Sequence, residues 1–172
     1  MSSNSASAGS IIQPYRSPWG AFPIHHYPEN NGSTFALGHI VMQSTRASTA
    51  SNKIEESPVD STRIVGVAAA PASSVAGTEI PVWEANPLVE FKAWAKGTLT
   101  AENVGNSYGF AYDSTLGIFY VDLTESTVTK VRALITEMLD STGYVDGWVA
   151  FRFRTQDDAE ASTRSRVLAY YR

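Results

Sequence analysis

Apolar residues in this chain fall into short alternating runs separated by Gly, Asn, Asp and Thr-Gly turn signals, the pattern of antiparallel β structure. Arg63-Ile64-Val65-Gly66-Val67 is a β-branched run that Pro71 and the following serines bring to a stop. Glu79 to Glu84 alternates, with Ile80 and Val82 on one face, and its Pro81, which cannot donate to a ladder, predicts an edge position. Leu88 to Trp94 sets Val89, Phe91 and Ala93 opposite Leu88, Glu90, Lys92 and Trp94. Thr100 to Asn103 reads as a single helical turn with Thr100 as its N-cap. Tyr108 to Tyr112 and Gly117 to Val121 flank Asp113-Ser114-Thr115-Leu116 and predict a hairpin. Tyr144 to Phe153 is a predicted closing strand with Phe151 and Phe153 on one face.

One segment reads two ways. Val128, Val131, Leu134, Ile135, Met138 and Leu139 make a helical stripe, whereas Val131, Ala133, Ile135 and Leu139 fit a strand. Pattern alone favours the helix slightly.

Before residue 60 the chain is rich in Ser, Pro, Asn and Thr. Pro14-Tyr15, Pro18-Trp19, Phe22-Pro23 and Tyr27-Pro28 set a proline beside an aromatic every four or five residues, which predicts a polyproline II arm. At about 3.1 Å per residue that arm spans roughly 45 Å from Pro14 to Pro28. It carries more large apolar groups than a disordered tail does, so it is expected to dock on a neighbouring subunit through Tyr15, Trp19, Phe22 and Tyr27. Residues 156–165 are polar, and Arg166 to Arg172 turns apolar and aromatic. This end is expected to supply a strand to its own sheet or to another protein's edge, with Tyr170 and Tyr171 as contacts. The organisation predicted is an extended N-terminal arm (1–34), a β domain (35–155) and a C-terminal tail (156–172).

Among 172 residues, 17 acidic against 13 basic side chains give a net charge of -4, so no broad positive field attracts a phosphate backbone, and nucleic acid is not an expected partner. The absence of cysteine excludes disulfides, thiolate zinc sites and cysteine nucleophiles. MSSNSASAGS has neither the basic nor the apolar region of a signal peptide, and no run approaches 18 apolar residues, so no membrane partner is expected either. Asn31-Gly32-Ser33 is a glycosylation sequon with nothing else to indicate secretion.

Gly105-Asn106-Ser107-Tyr108-Gly109 matches the G-x-S-x-G string of a nucleophile elbow, but it follows a helical turn, leads into a strand, and comes after every histidine; it reads as a turn. His25 and His26, adjacent on an extended chain, point to opposite sides and do not combine with His39 as metal ligands. Glu55-Glu56 and Asp157-Asp158 read as solvated charge in polar linkers. With no P-loop, G-x-G-x-x-G or H-E-x-x-H, no catalytic residue, cofactor site or metal site is expected. Trp83, Trp94 and Trp148 lie on predicted strands; packing or a protein interface is their common fate, and stacking on sugar rings is the alternative.

The runs FALGHIVMQS, RIVGVAAAPASSVAGTEIPVWEANPLVEFKA, LTAENVGNSYGF and VRALITEMLDSTGYVDGWVAFRF together resemble the small β-barrel decoration, or cement, proteins of tailed-bacteriophage capsids, over roughly residues 35 to 155. The resemblance implies an all-β fold, a small antiparallel barrel or sandwich, and a strand rather than a helix over Lys130 to Leu139. It further implies a non-enzymatic structural protein on the outer surface of the virion capsid, bound to the major capsid protein and to neighbouring copies of itself as a homotrimer or homodimer. A virion surface module that binds host glycans is the alternative. The longer arm and the tail beyond Thr155 depart from the family's pattern.

Overall fold

The computed structural model describes residues 6–7, 9–44, 52–61, 63–127, 130 and 132–154. Strands form where β-branched and aromatic residues alternate with polar ones, because such side chains fit a pleated, half-buried surface. In chain order they are β1 (Gln13–Arg16), β2 (Ile24–Pro28), β3 (Ile40–Gln43), β4 (Ile54–Glu56), β5 (Ile64–Ala68), β6 (Glu79–Glu84), β7 (Glu90–Thr98), β8 (Ser107–Asp113), β9 (Ile118–Asp122), β10 (Ala133–Met138) and β11 (Val145–Phe153). They make two sheets, ordered β1-β7-β11-β10-β8-β9 and β2-β6-β5-β3-β4. The chain is therefore all-β, a sandwich of two sheets rather than one closed barrel. The predicted turn is a single 3-10 turn, Ala101–Asn103, and the Thr100 N–H donates to Asn103 Oδ1 at 2.6 Å.

The first sheet curls. β7 pairs with β11 along one edge, and its other edge is shared between β1 and a short parallel pairing with β9. Phe91, Ala93 and Ala95 of β7 therefore face Phe110, Val121, Ile135, Phe151 and Phe153 in one buried cluster, which Ile40 and Val67 of the second sheet close. Its rings meet edge-on or tilted, Phe91 with Phe153 at 5.1 Å and Phe110 with Phe151 at 5.4 Å, the arrangement aromatic quadrupoles prefer.

The second sheet has a core of its own on its far face: Phe35, Val41, Ile54, Ala68, Ile80 and Val82. An isolated parallel bridge between Glu29 and Ile54 ties the end of β2 to β4, so this sheet also rolls, closed at one end. Glu29, fully buried, fixes the cover: Ser73 donates to its carboxylate from both the backbone N–H (2.7 Å) and the hydroxyl (2.8 Å).

Three expectations are corrected. The arm does not stand apart from the 35–155 domain, because β1 and β2 belong one to each sheet and Ile12 lies in the first core. The reason is register. β1 runs antiparallel to β7 and β2 antiparallel to β6, so residues 13–28 follow the β6–β7 stretch as a continuous ribbon that crosses both sheets. The aromatic-proline pairs place extended backbone there, and the sheet edges satisfy it better than a solvated polyproline helix would. Secondly, Pro81 lies on an interior strand, between β2 and β5. Its carbonyl accepts from Ala69 on the β5 side, so its missing N–H points where the β5 ladder has already ended. Thirdly, Glu55 and Glu56 lie on β4 and not in a linker.

Lys130 to Leu139 contains strand β10, not a helix. Asp157-Asp158 and the whole 156–172 tail lie outside the described residues.

Candidate interaction surface

The arm's anchors divide between packing and exposure. Tyr15 is half-buried, with the Arg16 guanidinium 4.6 Å over its ring. Phe22 packs on the first core and Tyr27 on the second. Trp19 is 57% exposed. It tips a tight turn in which Gly20 N–H donates to Ser17 O and Trp19 N–H to Ser17 Oγ, both at 3.3 Å, and Gly20 takes the left-handed φ of 71° that the turn requires. Tyr170 and Tyr171 lie outside the described residues, so among the described anchors Trp19 alone presents a largely free ring.

The ribbon's register gives Trp19 company. Arg16 pairs with Glu90 and Ile24 with Trp83, so the turn between β1 and β2 runs beside the connection between β6 and β7. That connection turns at Asn86, which accepts from Leu88 N–H through its side chain (2.9 Å) and from Val89 N–H through its carbonyl (3.0 Å). Leu88 is thereby held outward at 54% exposure, and Ile24, where β2 begins, at 51%. Three large apolar side chains are thus exposed on or beside two neighbouring hydrogen-bonded connections, an apolar corner of the surface.

Beside this corner, the outer face of the first sheet carries charge. Arg16 Nη1 lies 2.7 Å from Glu137 Oε2 and 3.6 Å from Glu90 Oε2, and Arg152 Nη2 donates to Glu90 Oε1 at 3.0 Å. Trp94 and Trp148 stand directly opposite on β7 and β11 with rings 5.8 Å apart edge to face, and Lys92 lies 5.5 Å over Trp148. Trp94 is buried and Trp83 packs on the first core. Two of the tryptophans considered for sugar stacking are therefore committed to packing.

The histidines are not brought together. His25 lies 4.9 Å from the Tyr27 ring and 3.6 Å from Glu84. His39 is buried between the sheets, its Nε2 2.8 Å from Gly117 O and its Nδ1 2.8 Å from Glu56 Oε1. A carbonyl only accepts, so Nε2 donates to it, and the second approach requires a proton between Nδ1 and the carboxylate. This pins the β8–β9 turn to the second sheet. Among the described residues no three His, Asp or Glu side chains group as ligands. Gly105 and Asn106 form a turn whose N–H groups donate to Ile135 O and Asn103 O, and Ser107 opens β8 with no histidine facing it in hydrogen-bond range.

Two surface depressions stand out among the described residues. One, of about 220 Å³, is lined by Val59, Asp60, Phe110, Asp122, Glu125 and Lys130. There the hydroxyl and backbone N–H of Thr127, with Lys130 at 3.5 Å, hold the Glu125 carboxyl below the usual carboxylate range. The other, of about 310 Å³, lies among Asn31, Ser33, Met42, Glu55 and Glu56. Neither sets a nucleophile beside a base.

Leu88 and Ile24 were missed as surface residues, since Leu88 opens a run that reads as a strand and Ile24 lies in the stretch that reads as a polyproline II arm. Only the pairing of arm with connection brings them to Trp19. Compared with known proteins, the chain matches no family model, no curated relative and no solved structure.

Proposed function

We propose that this chain is a non-enzymatic structural protein of a tailed-phage virion, which binds the outer surface of the capsid and stabilises the shell by bridging major capsid protein subunits. The resemblance of its strand series to capsid cement proteins supplies the class. The observation that carries the reading is the apolar corner of Trp19, Ile24 and Leu88, held rigid on a ribbon that crosses both sheets. An exposed tryptophan on a hydrogen-bonded turn loses little freedom on docking, which is how a few side chains come to dominate a protein interface. The arm then works as a fixed bracket instead of a loose tether. Several copies, each bracketing adjacent subunits, give the effective affinity a shell under outward pressure needs.

The test adds purified full-length protein to expanded shells that lack it and measures occupancy by sedimentation. Trp19→Ala is expected to weaken binding by about thirtyfold or more, the scale of an interface hot spot, while the thermal midpoint of the free protein stays unchanged. Undiminished occupancy with this variant contradicts the reading.

A further inference from the structure

Residues 30–33 make the turn that follows β2. The N–H and the hydroxyl of Ser33 both donate to Asn30 O, at 3.3 and 3.0 Å, and Gly32 takes a left-handed φ of 73° at the tip. Asn30 is tied down: its N–H donates to Ile54 O, and its Nδ2 to Ser44 Oγ at 2.9 Å and to Glu55 Oε2 at 3.1 Å. Asn31 has no such ties. It is exposed, and among the described residues neither its side-chain amide nor the N–H of Gly32 has a hydrogen-bond partner. A Cβ built on Gly32 would meet no atom within 4 Å. An electrophilic carboxamide and an unengaged backbone nitrogen thus stand next to each other in an open turn.

We infer that Asn31 is a site of spontaneous deamidation through a cyclic imide. The Gly32 nitrogen gives up its proton to hydroxide and bonds to Asn31 Cγ, and the Cγ–Nδ2 bond breaks with Nδ2 leaving as ammonia. Water then opens the ring. Attack at Cγ leaves aspartate in an ordinary chain, and attack at the backbone carbonyl carbon of Asn31 leaves isoaspartate, with the chain running through Cβ and Cγ. The sum consumes one water, releases one ammonia and oxidises nothing. Glycine at the next position admits the closure, because no Cβ crowds the attack and its backbone turns freely. Asn31 alone of the chain's asparagines precedes glycine. Asn86 precedes Pro87, which has no N–H to give. Asn103 is buried, its Oδ1 accepting from Thr100 and its Nδ2 donating to Tyr108, and Asn106 Nδ2 is held by Glu102 O at 2.6 Å. Asn52 is exposed, but the Lys53 side chain crowds the nitrogen that would attack it. The new charge falls on a defined place. Asn31 lines the depression of about 310 Å³ together with Glu55 and Glu56, so a copy that has reacted carries a third carboxyl group there and is marked as old.

The inference is independent of the capsid reading and is tested without shells, by storing the folded full chain warm at mildly alkaline pH and mapping its peptides by mass spectrometry over weeks. Asn31 is expected to gain about one dalton, as a mixture of aspartate and isoaspartate, at a rate about tenfold or more above those of Asn52 and Asn106. The rate is expected to rise with hydroxide. Ion exchange of the intact protein is expected to show the matching acidic form growing in the wild type and missing in Asn31→Gln, whose longer side chain would have to close a larger ring. An Asn31 that keeps its mass, an Asn52 or Asn106 that converts as fast, or an acidic form that persists in Asn31→Gln overturns the inference.

Discussion

Glu29 is an acid placed where acids rarely go, fully buried, with both carboxylate oxygens used by Ser73. Removing it leaves the Ser73 N–H and hydroxyl facing a gap, so Glu29→Ala is expected to lower unfolding free energy by about 1–3 kcal/mol. Urea denaturation measures this, and a change within about 0.5 kcal/mol, the range of an ordinary surface substitution, would mean the clamp is idle. Glu125 makes a smaller, pH-dependent contribution. A carboxyl lowered in the folded state adds stability above its ordinary value and loses it as pH falls through the lowered one. Glu125→Gln is therefore expected to lower the neutral plateau of the stability curve and to flatten its acid limb below about pH 4.5, where the two proteins converge. An unchanged acid limb in denaturant titrations would contradict that role.

At the scale of elements, the ribbon of β1 and β2 is what turns an apparent tail into part of the fold. Ile12 anchors it in the first core, and Gly38, at φ 82°, lets it approach so closely that a Cβ there would strike Ile11. Ile12→Ala is expected to cost about 2–4 kcal/mol and to lower the thermal midpoint of the whole domain in one transition. A separate low-temperature transition would instead mark the arm as an independent unit. The strands from β5 to β9 and β11 were legible because each carries its own period-two alternation and a turn residue at its end. β10 was not, and its bulge explains why: between Ile135 and Glu137 the register shifts, so Ile135 and Met138 both pack inward at a spacing of three that imitates a helix. The arm was misread for a different reason. Proline and serine content describes the free chain, whereas the edge that captures it is made by β6 and β7, some 60 residues away in sequence.

For the whole molecule, two rolled sheets are pinned together by His39 between Glu56 and Gly117 and by the ribbon that belongs to both. Of the candidate site, Trp19 was legible as a docking aromatic of the arm beside a proline; Ile24 and Leu88 became visible only through pairing register. The most direct measurement is an electron cryomicroscopy reconstruction of shells decorated with the full-length protein. The account predicts that the corner bearing Trp19, Ile24 and Leu88 faces the major capsid protein, with the tryptophan ring enclosed by it. A decorated shell in which that corner points to solvent, or a shell the protein fails to decorate at all, would contradict it.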